Sequence, residues 1–177
     1  AFKTNLVQSG VEALGQSMTD SISAAASGQN WNLAFEYIAH AGAGCIVGEI
    51  SNSAGVSDSD GQGCASGALG GLSSAIVTDL YEASIKDRLK ALLTEEMDHL
   101  NAVRASEGDA GAFKQLATIR SNDYRRQIQE LQALGVDLGK LGSALMATAA
   151  ELDVDLAVST GGHTAQSETQ HYVYSLL

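Results

Sequence analysis

Two of the four histidines in this sequence close Glu-x-x-His pairs, Glu96 with His99 and Glu168 with His171. On a helix that spacing turns both side chains to one face. Paired motifs of this kind, with carboxylates from neighbouring helices, hold two iron or manganese ions inside four-helix bundles. Glu49 and Glu130 would nominally supply the remaining ligands. Two features speak against such a centre. The second pair lies in GGHTAQSETQHYVY, which has no apolar helical stripe to seat it in a core. The first lies in an acidic cluster, Glu95, Glu96 and Asp98, of the kind that covers a solvated face. No metal is expected.

His163, Glu168 and His171 are the candidate catalytic residues, because imidazole and carboxylate can share proton transfer near neutral pH, as hydrolases and nucleases require. Short polar tails also carry such residues without function. Ser51, Ser53 and Ser57 lack a Gly-x-Ser-x-Gly elbow, and no Cys-x-x-Cys, Walker or dinucleotide fingerprint occurs, so no cofactor is expected. Asp58 and Asp60 sit in a Ser/Gly-rich stretch that lacks the register and closing Glu of a calcium loop. His40, between Ala39 and Ala41, reads as a buried histidine satisfied by a neighbouring group.

The elements that must position these residues are helical. There is no proline, Ala, Leu, Gln and Glu are abundant, and aromatics make up only 5%, so the core must be built from small and aliphatic side chains. From Phe2 to Ala26 apolar residues recur at steps of three and four, and Ser27 to Asn30 close that helix. A second helix starts near Trp31, with Asn30 or Asn32 as its cap, and runs into the stretch Gly42, Gly44, Gly48. Ser51 to Gly63 reads as a loop. Cys64 to Tyr81 and Ile85 to Ser106 read as helical, either as two helices or as one long helix, ending at Glu107 to Asp109.

Ala110 to Leu134, and a stretch from Val136 or Leu138 to Val158, read as two further helices, with breaks at Gly135 and at Gly161-Gly162. His171 to Leu177 reads as a short strand, a helical turn or an unfolded end. The fold class is therefore all-α: a Gly-rich helical hairpin packed with antiparallel amphipathic helices. Gly44, Gly48, Gly67 and Gly71 are its helix-packing positions, and Cys45 and Cys64 sit where a disulfide could tie its arms. Such a bridge closes a loop of about twenty residues and stabilises by roughly 3 kcal/mol. The expected organisation is a Gly-rich region over 1–84, a helical bundle over 85–160 and a polar tail over 161–177.

The net charge of −11 excludes nucleic-acid binding through a general basic surface. Basic residues gather only at Lys86, Arg88 and Lys90 and at Arg120, Arg125 and Arg126, interleaved with acids. No N-terminal signal peptide and no confident membrane span are read. The opening Ala-Phe-Lys, without Met, suggests a piece of something longer.

Ile38-Ala39-His40-Ala41, Gly44-Cys45 and, after a polar insert, Cys64-Ala-Ser-Gly-Ala-Leu-Gly-Gly71 resemble a family region. It is the pretoxin segment of two-partner-secretion exoproteins, the filamentous-haemagglutinin-like adhesins and contact-dependent growth inhibition effectors of Gram-negative bacteria. Ala1 to Thr4 and Asn30-Trp31 are also similar, so the resemblance covers residues 1–80. The Val-Glu-Asn-Asn boundary that many members carry is absent.

The resemblance implies export to an oxidising cell surface and a part in presenting or delivering a C-terminal effector. The implied partners are the rest of a larger exoprotein, a target-cell membrane and an immunity protein. The expected function is non-enzymatic delivery or membrane insertion of an effector. The alternatives are an interbacterial toxin using His163, Glu168 and His171, and a structural assembly module of an adhesin.

Overall fold

Hydroxyl-rich, proline-free sequence forms helix throughout this computed structural model. It describes residues 2–29, 32–55, 62–105 and 110–176, with side chains described at all of these but 2–8, 12, 27–29, 103 and 110–117. Among the described residues are five helices and no strand: α1 (Phe2–Gln29), α2 (Leu33–Ser53), α3 (Gly63–Ala105), α4 (Ala110–Ala149) and α5 (Val154–Ser175). Trp31, the alternative cap Asn30, the acids Asp58 and Asp60, and the helix end expected at Glu107 to Asp109 lie outside the described residues.

Asn32 caps α2, its side chain accepting from the Ala34 amide at 2.9 Å, and Glu36 complements the positive end of the helix dipole. Beyond Ser53 the chain turns at Gly55, whose φ of +67° suits a residue without Cβ. The loop expected from Ser51 therefore begins later, and Ser51 itself is buried. The Cys45–Cys64 disulfide is formed and joins α2 to α3 across nineteen residues of sequence.

The α2–α3 hairpin is backbone against backbone. A Cβ placed on Gly44 would stand 2.1 Å from the Gly67 carbonyl oxygen, and one on Gly48 would stand 2.0 Å from that of Gly63. Gly71 meets the carbonyl oxygen of His40 at 2.5 Å in the same way. The spacing of four in both helices carries these contacts through consecutive turns.

Two expected breaks do not occur. Helix α4 runs through Gly135, where a Cβ would strike Thr169 at 2.7 Å and Tyr81 at 3.1 Å. Helix α5 likewise runs through Gly161 and Gly162, and a Cβ at Gly161 would meet the Ser143 hydroxyl at 2.0 Å. These glycines admit neighbouring helices instead of ending their own.

The actual break lies at Glu151, at φ 56°. The amide of Leu152 donates to the Ala147 carbonyl at 2.9 Å and that of Glu151 to Thr148 at 3.2 Å, a Schellman closure. Asp153 then caps α5, accepting from the Leu156 amide at 2.9 Å.

The expected boundaries fail on the same ground. Position 84/85 falls within the continuous α3, and residues 161–175, expected as part of a polar tail, belong to α5, which packs on α3, α4 and α1. Thr160, Gly161, Thr164, Ala165, Glu168 and Thr169 are buried there. Thr160, Thr164 and Thr169 return their hydroxyls to carbonyls four residues back, so a stripe that reads as polar enters the core with its hydrogen bonds made.

The interior has two parts. Around the disulfide-linked hairpin it is made of Gly, Ala, Ser and Thr. Further along α3 and α4 it becomes aliphatic, with Leu89, Leu92, Leu93, Ile128 and Leu131 packed together and Tyr172, Val173 and Leu176 of α5 against them. At 43 residues α3 is about 65 Å long.

Candidate functional site

The most unusual chemistry lies where the two parts of the interior meet. Helix α2 carries Glu36 and His40 one turn apart, so both face the same way. Helix α3 brings Asp79 and Glu82, α5 brings Glu168, and α1 contributes Ser23. His40 is fully buried, and its Nε2 lies 2.5 Å from Oε1 of Glu168, a side chain only 10% exposed. Ser23 donates to the same carboxylate oxygen at 2.7 Å and takes a hydrogen bond from Ser167 at 3.1 Å. Nδ1 of His40 is buried and has no hydrogen-bond partner.

Around this pair the carboxyl groups are crowded and poorly solvated. Burial, reinforced by Glu168 and Asp79, pushes the Glu36 carboxyl up to about 7, with His40 opposing. Burial raises Asp79 as well, although Tyr37 donates a 2.6 Å hydrogen bond to it. The Tyr37 hydroxyl is pushed up in turn, by burial and by that bond. Glu82 reaches about 9 through burial and the neighbouring charges of Glu168, Asp79 and Glu36, and its Oε1 is buried without a hydrogen-bond partner. Three acids, Glu36, Asp79 and Glu168, thus neighbour one imidazole, with Glu82 beside those acids. Such a group can share protons or hold a cation, and it is too enclosed to receive a large substrate.

The three candidate catalytic residues do not form one constellation. Glu168 directs Oε1 to His40 and Ser23. His163 lies five residues earlier on α5, about 140° around the helix, and its ring faces α1 at Gly15. His171 is half-buried one turn beyond Glu168. Of the residues weighed for a di-metal centre, Glu49 is exposed, Glu130 is exposed and pairs with Arg126 at 2.8 Å, and Glu96 pairs with Arg125 at 2.9 Å. The basic residues Lys86, Arg88, Lys90, Arg120, Arg125 and Arg126 are all exposed.

Sequence reasoning identified His40 as buried and missed its partner. The available signal was a stripe of small and hydroxyl residues, Ala157, Thr160, Gly161, Thr164, Ala165 and Glu168, at helical steps of three and four. It also missed Glu36, one turn before His40. Comparison with protein-family models, with curated proteins and with solved structures finds no significant match.

Proposed function

We propose that this chain is a C-terminal module of a secreted bacterial exoprotein and takes part in delivering or inserting an effector at a target-cell membrane. The observation that carries the reading is an apolar stripe on the outer side of the disulfide-tied α2. Phe35, Ile38, Ile46 and Ile50 recur along that helix at mostly helical steps, and all are exposed, Ile38 by 66%. Its opposite side, with His40, Gly44 and Gly48, is buried against the rest of the bundle. Four large apolar side chains on one helix face suit an apolar surface. The Ile38–Gly71 resemblance supports the exoprotein setting, and the disulfide suits an oxidising exterior.

Among the described residues no helix is long and apolar enough to cross a membrane. Contact with lipid would therefore begin with α2 lying in the interface, its exposed stripe against the acyl chains. Further insertion would require the small-residue interfaces to part. Those interfaces bury little aliphatic surface per contact, so re-packing them sacrifices less hydrophobic burial than opening the leucine cluster around Leu89.

Vesicle flotation tests this with the oxidised chain and zwitterionic or anionic liposomes. Co-flotation is expected, and Phe35→Ser with Ile38→Ser should weaken partitioning by roughly tenfold or more, from the transfer energies of the two side chains. No partitioning into either vesicle, or partitioning that the double variant leaves unchanged, would count against the membrane role.

A further inference from the structure

The carboxylates between α2, α3 and α5 outnumber the cations available to them. Glu36, Asp79 and Glu168 share His40 as their positive neighbour, and buried charges persist only when paired or bound to a metal. We propose that Glu36, His40 and Glu168 form a binding site for one divalent transition-metal ion, zinc being the best match. One donor atom from each residue lies within 4.8 Å of the others. Glu36 and His40 stand one turn apart on α2, and Glu168 meets them from α5, so the ion would join two helices distant in sequence.

An imidazole with two carboxylates and an open fourth position is a donor set that zinc accepts, and manganese and ferrous iron also take it. Nε2 of His40 and Oε1 of Glu168 stand 2.5 Å apart. Two ligands about 2.0–2.1 Å from a tetrahedral zinc stand roughly 3.3 Å apart, so taking up the ion opens the pair by less than an ångström.

An independent observation points the same way. Nδ1 of the ligand His40 and Oε1 of Glu82, a residue only 7% exposed, are both buried without a hydrogen-bond partner. Glu36 is only half-buried, which leaves a route from solvent on its side. Tyr37 and Asp79, joined by their hydrogen bond, lie beside the site.

The site does not depend on the delivery role and is tested without it. The full oxidised chain, free of affinity tag and stripped with a chelator, is titrated calorimetrically with zinc chloride and separately with manganese chloride. Bound metal is counted after dialysis. One equivalent of either ion per chain is expected, with a raised thermal midpoint.

His40 and Glu168 are core residues whose loss would unfold the bundle, so Glu36→Gln carries the test. It should weaken binding roughly tenfold or more while the helical spectrum is retained, whereas Glu49→Gln, an exposed change on the same helix, should bind as the parent does. Absence of saturable binding of both ions, or binding that Glu36→Gln leaves intact, would overturn the site.

Discussion

Glu82 is held in the folded chain with its carboxyl pushed up to about 9 from an ordinary 4.5, chiefly by burial. Between those values the folded state keeps a proton that the unfolded state gives up, so stability falls as pH rises through the window and levels off above it. Glu82→Gln removes the titration and keeps the shape. Urea midpoints at several pH values between 5 and 9, in chelator, should decline for the parent and decline less for the variant. Equal slopes would place the proton elsewhere. The same neighbourhood marks what a sequence can disclose about single residues. His40 is legible as buried because alanines flank it, whereas Glu168 is masked by Ser and Thr, whose polarity hides how small they are. Thr164 and Thr169 satisfy their hydroxyls inside their own helix, so they behave as compact core residues and admit a charged group among them.

At the scale of helices, glycine decides both what was legible and what was not. The four-residue spacing of Gly44 and Gly48, with Gly67 and Gly71 on the other arm, announces close packing before any coordinates, and the backbones do meet there. Gly135 and Gly161 carry the same residue type and read as breaks, because a sequence does not reveal that Tyr81, Thr169 or Ser143 approaches from another helix. The true break, at Glu151, offers no glycine to announce it. Gly67→Ala tests the packing reading. Its Cβ would stand 2.0 Å from the Gly44 carbonyl oxygen, an atom of backbone that cannot rotate away, so α2 and α3 must separate. A loss of about 1–3 kcal/mol is expected from chemical denaturation. Gly42→Ala is the control, since nothing lies within 4 Å of a Cβ there and alanine favours the helix by about 1 kcal/mol. Similar effects from both changes would refute close packing as the cause.

For the molecule as a whole, the all-α class was legible because every long segment carries helical periodicity and no proline interrupts it. The division into a Gly-rich region, a bundle and a tail was not, because cooperation between distant helices leaves no mark on local composition. Helix α5 is where that matters. It supplies Glu168 to His40, places Gly161 against Ser143, and covers the leucine cluster with Tyr172, Val173 and Leu176. A chain ending at Thr160 tests its weight. Were residues 161–177 a solvated tail, the shortened chain would melt as cooperatively as the parent and within a few degrees of it. Instead the truncation strips both parts of the interior at once, leaving His40 without Glu168 and uncovering the leucine cluster where Tyr172, Val173 and Leu176 pack. Several buried groups lost together exceed the roughly 5–15 kcal/mol that holds a typical domain folded. The expected product keeps much of its far-ultraviolet helical signal, loses its near-ultraviolet tyrosine signal, and melts without a sharp transition. Retention of a cooperative melt would show that α1 to α4 fold alone, and the His40–Glu168 pair would then be an addition to a finished bundle instead of its keystone.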